Sequence, residues 1–129
     1  MTRPRVLLCY PRNGHNLPFP ESPPYNMLLL GTILRRHGWP VTVFDQRVHR
    51  QWQTALLDTI GRDPLLLGGI TAMTGPQIHH GLEIARFLRT QFPALPLVWG
   101  GVHVSLLPEQ SLAHPLVDYV IVGEGEGAL

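Results

Sequence analysis

The chain has 129 residues, 44% of them hydrophobic and 15% charged, with a formal net charge of +1. That is one domain with enough chain for a buried core, and the near-neutral charge excludes the electrostatic footprint of a nucleic-acid or anionic-membrane binder. No apolar run reaches the roughly 18 to 20 residues that span a bilayer, and the N-terminal one is too short for a secretory signal. The single cysteine, Cys9, excludes an internal disulfide and any all-cysteine iron–sulfur or zinc site within this chain. A reducing cytoplasm is the default setting.

In chain order, the first apolar run is Val6-Leu7-Leu8-Cys9-Tyr10. It is apolar on both faces, as a parallel strand covered on both sides should be. "PRNGHNLPFPESPP", residues 11–24, follows. Strand-to-helix loops usually take about 2–6 residues, so a long, proline-stiffened one points to function. A helix then opens with Ser22 as N-cap and Pro23 at its first position, carries a stripe of Met27, Leu30 and Leu34, places Arg35, Arg36 and His37 in its last turn, and stops at Gly38.

Val41-Thr42-Val43-Phe44 reads as the second strand, and a weaker helix covers about residues 50–61. The third strand runs from Leu65 to Ile70. After it, Thr74 and Gln77 have capping-box spacing ahead of Ile78, Leu82, Ala85, Leu88 and Phe92 at helical intervals, with Pro93 ending the run. Leu97-Val98-Trp99 is the fourth strand and breaks off at Gly100-Gly101. A short helix is expected near 107–113, and Val117–Val122 is the fifth strand.

This order predicts an α/β, flavodoxin-like (Rossmann-like) doubly wound sheet of five parallel strands in the order 2-1-3-4-5. The helix that would normally cover the last strand is not in the pattern, so the side chains around Tyr119 and Ile121 are expected to leave one face partly wet. Residues 1–129 are therefore expected to be the front domain of a longer protein, a homodimer burying the same face being the competing expectation.

In such a sheet, ligands bind beyond the carboxyl ends of the strands, where the order reverses. The loops after strands 1, 3 and 4 meet there. Thr71, Met73 and Thr74 stand at the mouth, with the helix amides of residues 75–77 beside them. Gly100 and Gly101 remove side chains from the same edge, which suits a wide, flat ligand. Neither a glycine-rich nucleotide-phosphate loop nor the Ser/Thr-rich flavin loop follows strand 1, which argues against a flavodoxin-type electron carrier.

"GITAMTGPQI", "VWGGVHVSLLPEQ" and "VDYVIVGEGE", in that order and spacing, together with "PPYNMLLLGTILRRHGWPVTVFD", resemble the N-terminal cobalamin-binding domain of B12-dependent radical S-adenosylmethionine (SAM) enzymes, from about residue 5 to 127. The resemblance implies cobalamin as cofactor. It also implies a downstream radical SAM barrel in the same chain, carrying S-adenosylmethionine and a [4Fe-4S] cluster on a CxxxCxxC motif that these residues do not contain. In many such enzymes cobalt carries a methyl group to a small-molecule substrate. This domain would then hold the corrinoid flat and bury its nucleotide tail, without being catalytic alone.

The wider B12-binding fold has three signatures: D-x-H-x-x-G after strand 1, S-x-L after strand 3 and G-G after strand 4. Gly100-Gly101 matches the last, and Thr71-Ala72-Met73 stands at the second with both ends altered conservatively. Asn13-Gly14-His15-Asn16-Leu17-Pro18 offers a histidine at the right spacing but has Asn for Asp and Pro for Gly. Without that carboxylate to orient an imidazole, the expectation is cobalamin with no protein histidine on cobalt, His15 being the one candidate ligand or an exposed loop residue. The resemblance places Asn13, His15, Thr71, Ala72, Met73, Thr74, Gly75, Gly100, Gly101, Val102, His103, Gly123 and Glu124 around the cofactor.

Plainer roles stand beside these. His103 touches the corrin rim or caps the following turn. His79 and His80, adjacent on one helix, are not expected to face one ligand together. Trp99 and Cys9 are expected in the core, and Glu124 is either near the tail or solvated. A stand-alone, non-enzymatic sensor or carrier of a corrinoid or nucleotide is the competing function.

Overall fold

The computed structural model describes residues 3–13, 23–73 and 75–123. Its elements are β1 (Arg5–Tyr10), α1 (Tyr25–Arg36), β2 (Val41–Asp45), a 3-10 turn (Gln46–Val48), α2 (Trp52–Ile60), β3 (Leu65–Thr71), α3 (Pro76–Gln91), β4 (Leu97–Gly100), α4 (Val102–Leu106), α5 (Pro108–Leu112) and β5 (Tyr119–Val120). All strand pairs are parallel and the order is β2-β1-β3-β4-β5, the doubly wound topology that the alternating apolar runs imply.

The strands are apolar on both faces because both faces are packed. Leu7, Cys9, Ile70, Leu97 and Trp99 join α2 and α3 in the larger core, which Val104 of α4 also enters. Trp99 is 3% exposed and donates its indole N–H to the Leu116 carbonyl at 3.0 Å, so it is a core residue as expected. On the opposite face, Met27, Leu30 and Leu34 of α1 pack on Val6, Leu8 and Val41. That helix lies over β1 and β2. The remainder of the face, over β3 to β5, opens into a pocket, and Tyr119 at its edge is 62% exposed.

Several expected boundaries move. Helix α1 begins at Tyr25 with Pro24 at the cap, so Pro23 precedes the helix instead of opening it, and Ser22 lies outside the described residues. The Leu28 N–H donates to the Pro24 carbonyl at 3.0 Å, which starts the helical ladder without a side-chain cap.

The capping box expected of Thr74 and Gln77 is replaced. Gly75, at φ +111°, caps α3, and the buried Gln77 accepts the Met73 N–H at 2.7 Å. The short helix expected near 107–113 is α5, opened by Pro108, and an additional short helix, α4, begins directly after Gly101. The fifth strand is shorter than expected: Tyr119 and Val120 pair with Val98 and Trp99 of β4. Among the described residues no helix is long and apolar enough to cross a membrane.

Candidate binding site

The carboxyl end of β4 is bare, and its two glycines do different work. At Gly100 a Cβ would meet none of the described residues within 4 Å. At Gly101, φ is +100° and a Cβ would lie 2.7 Å from the Ala72 carbonyl oxygen and 2.8 Å from Thr71 Oγ1. L side chains are disfavoured in that conformation. The main chain needs it because β4 folds back on the end of β3: the Ala72 N–H donates to the Gly100 carbonyl at 3.0 Å and the His103 N–H to the Ala72 carbonyl at 3.1 Å.

Two buried glutamines fix the neighbouring loops. Gln77 donates through Nε2 to the Pro11 carbonyl at 3.0 Å while accepting from Met73, which joins the loop after β1 to the loop after β3. The Gln46 side chain accepts the Arg12 N–H at 2.9 Å, and the Arg12 guanidinium caps the carbonyls of Gln46, His49 and Arg50. The long loop therefore leaves β1 from a fixed base.

Beside the ledge lies a pocket of about 180 Å³. Leu67, Gly69, Val98 and Ile121 form its sheet wall, and Asn26, Met27 and Leu30 of α1 close the opposite side. Among the described residues its polar side chains are Asn26 and Thr71, joined by a hydrogen bond from Asn26 Nδ2 to Thr71 Oγ1 at 3.1 Å. A dry protein cavity of about 150 Å³ takes up one benzene ring, so this space suits the flat aromatic end of a larger ligand whose remainder lies outside. Among the described residues, no ionisable side chain lines it.

Of the expected site residues, Thr71, Gly100, Gly101 and Gly123 line the pocket. The Gly123 N–H donates to Ser105 Oγ at 2.9 Å, which ties the segment after β5 to α4. Ala72 is fully buried with both backbone polar groups spent on the loop after β4. Met73, Gly75 and Val102 lie at the same strand edge, the side chains of Met73 and Val102 exposed, and His103 sits half-buried in α4. Asn13 lies just past the Arg12 anchor. His15, Thr74 and Glu124 are outside the described residues.

Sequence reasoning missed Asn26 and Gln77 as parts of this edge. The one available signal for Asn26 was a polar residue four positions before Leu30, on the apolar stripe of α1. His79 and His80 have a local role on α3: their ring nitrogens lie 2.8 and 3.7 Å from Glu83 Oε1. Among the described residues no group of three or more His, Cys, Asp or Glu side chains could hold a metal ion. Burial pushes the Cys9 thiol up to about 12, so it is inert core.

A five-stranded parallel sheet with a bare switch-point edge and an adjoining apolar pocket defines a ligand-binding domain of the flavodoxin-like class. More particularly, the chain belongs to the B12 binding domain family, whose model matches residues 19–129. No curated protein matches significantly. Among solved structures, the response regulator TrrA from Thermotoga maritima, in complex with Mg(2+)-BeF, is similar at 15% identity and a TM-score of 0.58, over 94% of this chain and 87% of that one. The RcsB response regulator of Salmonella typhimurium is similar at 14% identity and a TM-score of 0.59, over 98% of this chain and 55% of that one. At such identities the likeness is one of fold.

Proposed function

We propose that this domain binds cobalamin. Gly100 would leave the main chain clear for the macrocycle, Gly101 would let β4 close on the end of β3, and the pocket beside Thr71 would take the aromatic base of the nucleotide tail. The observation that carries the reading is the bare ledge at Gly100 opening beside an apolar pocket with one buried hydroxyl, in a chain of the B12 binding domain family. Bound cobalamin supplies a cobalt centre able to carry a methyl group; this chain's residues hold and orient it.

The finer reading is a module of a radical SAM methyltransferase or related enzyme, working on a small molecule with S-adenosylmethionine and a [4Fe-4S] cluster in a following barrel. It is supported by the "GITAMTGPQI", "VWGGVHVSLLPEQ" and "VDYVIVGEGE" segments. A CxxxCxxC motif encoded beyond Leu129 favours that enzyme over a stand-alone sensor or carrier.

The test is substitution at Gly100. The Cβ of Gly100→Leu would meet none of the described residues within 4 Å, and the rest of the side chain would occupy the ledge where the ligand is proposed to lie. The parent domain should retain a red chromophore after incubation with hydroxocobalamin and desalting, and Gly100→Leu should lose it with its melting temperature kept. Equal retention by the two sinks the reading. In the same spectra His15→Ala should leave the visible bands unchanged, since the loop lacks the carboxylate that would orient a cobalt-bound imidazole; a shifted band makes His15 a ligand.

A further inference from the structure

The polar and apolar parts of the pocket are separated along its depth. Thr71 and Gly100 stand opposite one another at the carboxyl ends of β3 and β4, and Asn26 lies on the first turn of α1, so these three residues form the mouth. Strands advance about 3.3 Å per residue and alternate residues share a face, which puts Val98 about 7 Å and Leu67 about 13 Å further in on the same wall. Leu30 lies one helical turn, about 6 Å, inward of Asn26. Leu8 stands at the level of Val98, since Gly69 pairs with both. Leu8, Leu30 and Val98 are buried. The backbone at that level is spent as well: Gly69 and Val98 lie on strands paired on both sides, and their N–H and C=O groups are directed along the sheet. Among the described residues, the inner end of the pocket therefore offers a ligand neither a donor nor an acceptor.

We infer that the pocket selects corrinoids by the polarity of the far ring of the tail base, accepting benzenoid bases and rejecting purines. This rests on the cobalamin reading and narrows it to a class of corrinoid. The part of the base nearer the ribose stays at the mouth, and the ring farther from it reaches Leu8, Leu30 and Val98. In a benzimidazole that ring is hydrocarbon and meets hydrocarbon. In adenine it is a pyrimidine ring bearing two nitrogens and an amino group, which lose their hydrogen bonds to water and find no replacement. Size does not separate the two bases, because both are fused bicycles.

The test measures the affinity of the domain for benzimidazolyl cobamide, for adeninyl cobamide and for cobinamide, which has no base. Benzimidazolyl cobamide should bind at least about tenfold more tightly than adeninyl cobamide, the penalty for burying polar groups unpaired. Val98→Thr keeps the shape of the wall and adds a hydroxyl at the inner level. It should lower that ratio by about fivefold, the worth of one ordinary hydrogen bond. Leu67→Gln brings an amide to the same end and should lower the ratio likewise, so either variant that keeps a cooperative melting transition decides the matter. Comparing the ratio in variant and parent removes any difference between the free corrinoids, cobalt's hold on each base included, because it enters both measurements equally.

Three outcomes overturn the inference with the cobalamin reading intact. The parent binds adeninyl cobamide as tightly as benzimidazolyl cobamide; the ratio stays unchanged in a folded Val98→Thr or Leu67→Gln; or benzimidazolyl cobamide binds no more tightly than cobinamide, which leaves the base outside the pocket. A parent that binds none of the three corrinoids sinks both readings.

Discussion

Gly100 and Gly101 are neighbours with opposite tolerances. Gly100 has room for a side chain and ordinary backbone, so Gly100→Ala should leave stability unchanged or raise it by up to about 1 kcal/mol, since glycine is a weak strand residue. Gly101→Ala places a Cβ 2.7 Å from a carbonyl oxygen at φ +100°, and both neighbours are held by backbone hydrogen bonds. We expect a loss of about 2–4 kcal/mol in urea unfolding; a loss below about 1 kcal/mol would show that the β3–β4 ends can separate. Ligand clearance thus belongs to the first glycine and fold closure to the second.

At the scale of elements, the candidate edge is assembled by side chains reaching between loops. Gln77, on the first turn of α3, touches the ends of β1 and β3 at once. Gln77→Leu leaves the Pro11 carbonyl and the Met73 N–H unpaired in a buried place, which should cost about 2–4 kcal/mol. Because α3 also packs through Ile84, Ala85 and Leu88, the variant should keep its helical circular dichroism while amide exchange quickens at Met73 and the residues after β1. Unchanged exchange there would mean the two loops are held by something other than Gln77.

For the whole molecule, the sheet is buried on one face and only partly on the other, where α1 covers β1 and β2 and the pocket opens over β3 to β5. A ligand seated there binds the native state alone and should stabilise it by mass action. With cobalamin at 100 times its dissociation constant the gain is about 2.7 kcal/mol, or a rise of about 10 °C in melting temperature for a domain of this size. Cobinamide, which has no tail to fill the pocket, should give a smaller rise at equal concentration. Equal rises would place the binding free energy on the macrocycle and leave the pocket without a role.

The strand order, the two-faced burial of the strands and the location of the ligand edge followed from the sequence, because continuous apolar runs alternating with amphipathic ones admit few parallel arrangements. That Gly100, Gly101 and Thr71 line a pocket was legible for the same reason: each sits at a strand end, a local property. The split between the two glycines, the Asn26–Thr71 bond and the strut made by Gln77 were not legible. Each depends on atoms from segments far apart in the chain, Asn26 with Thr71 and Gln77 with Pro11, and side-chain periodicity carries no record of such distances. The sequence by itself determined which strand ends lie together at one edge of the sheet; only tertiary packing decided which atoms there are bare and which are spent on hydrogen bonds.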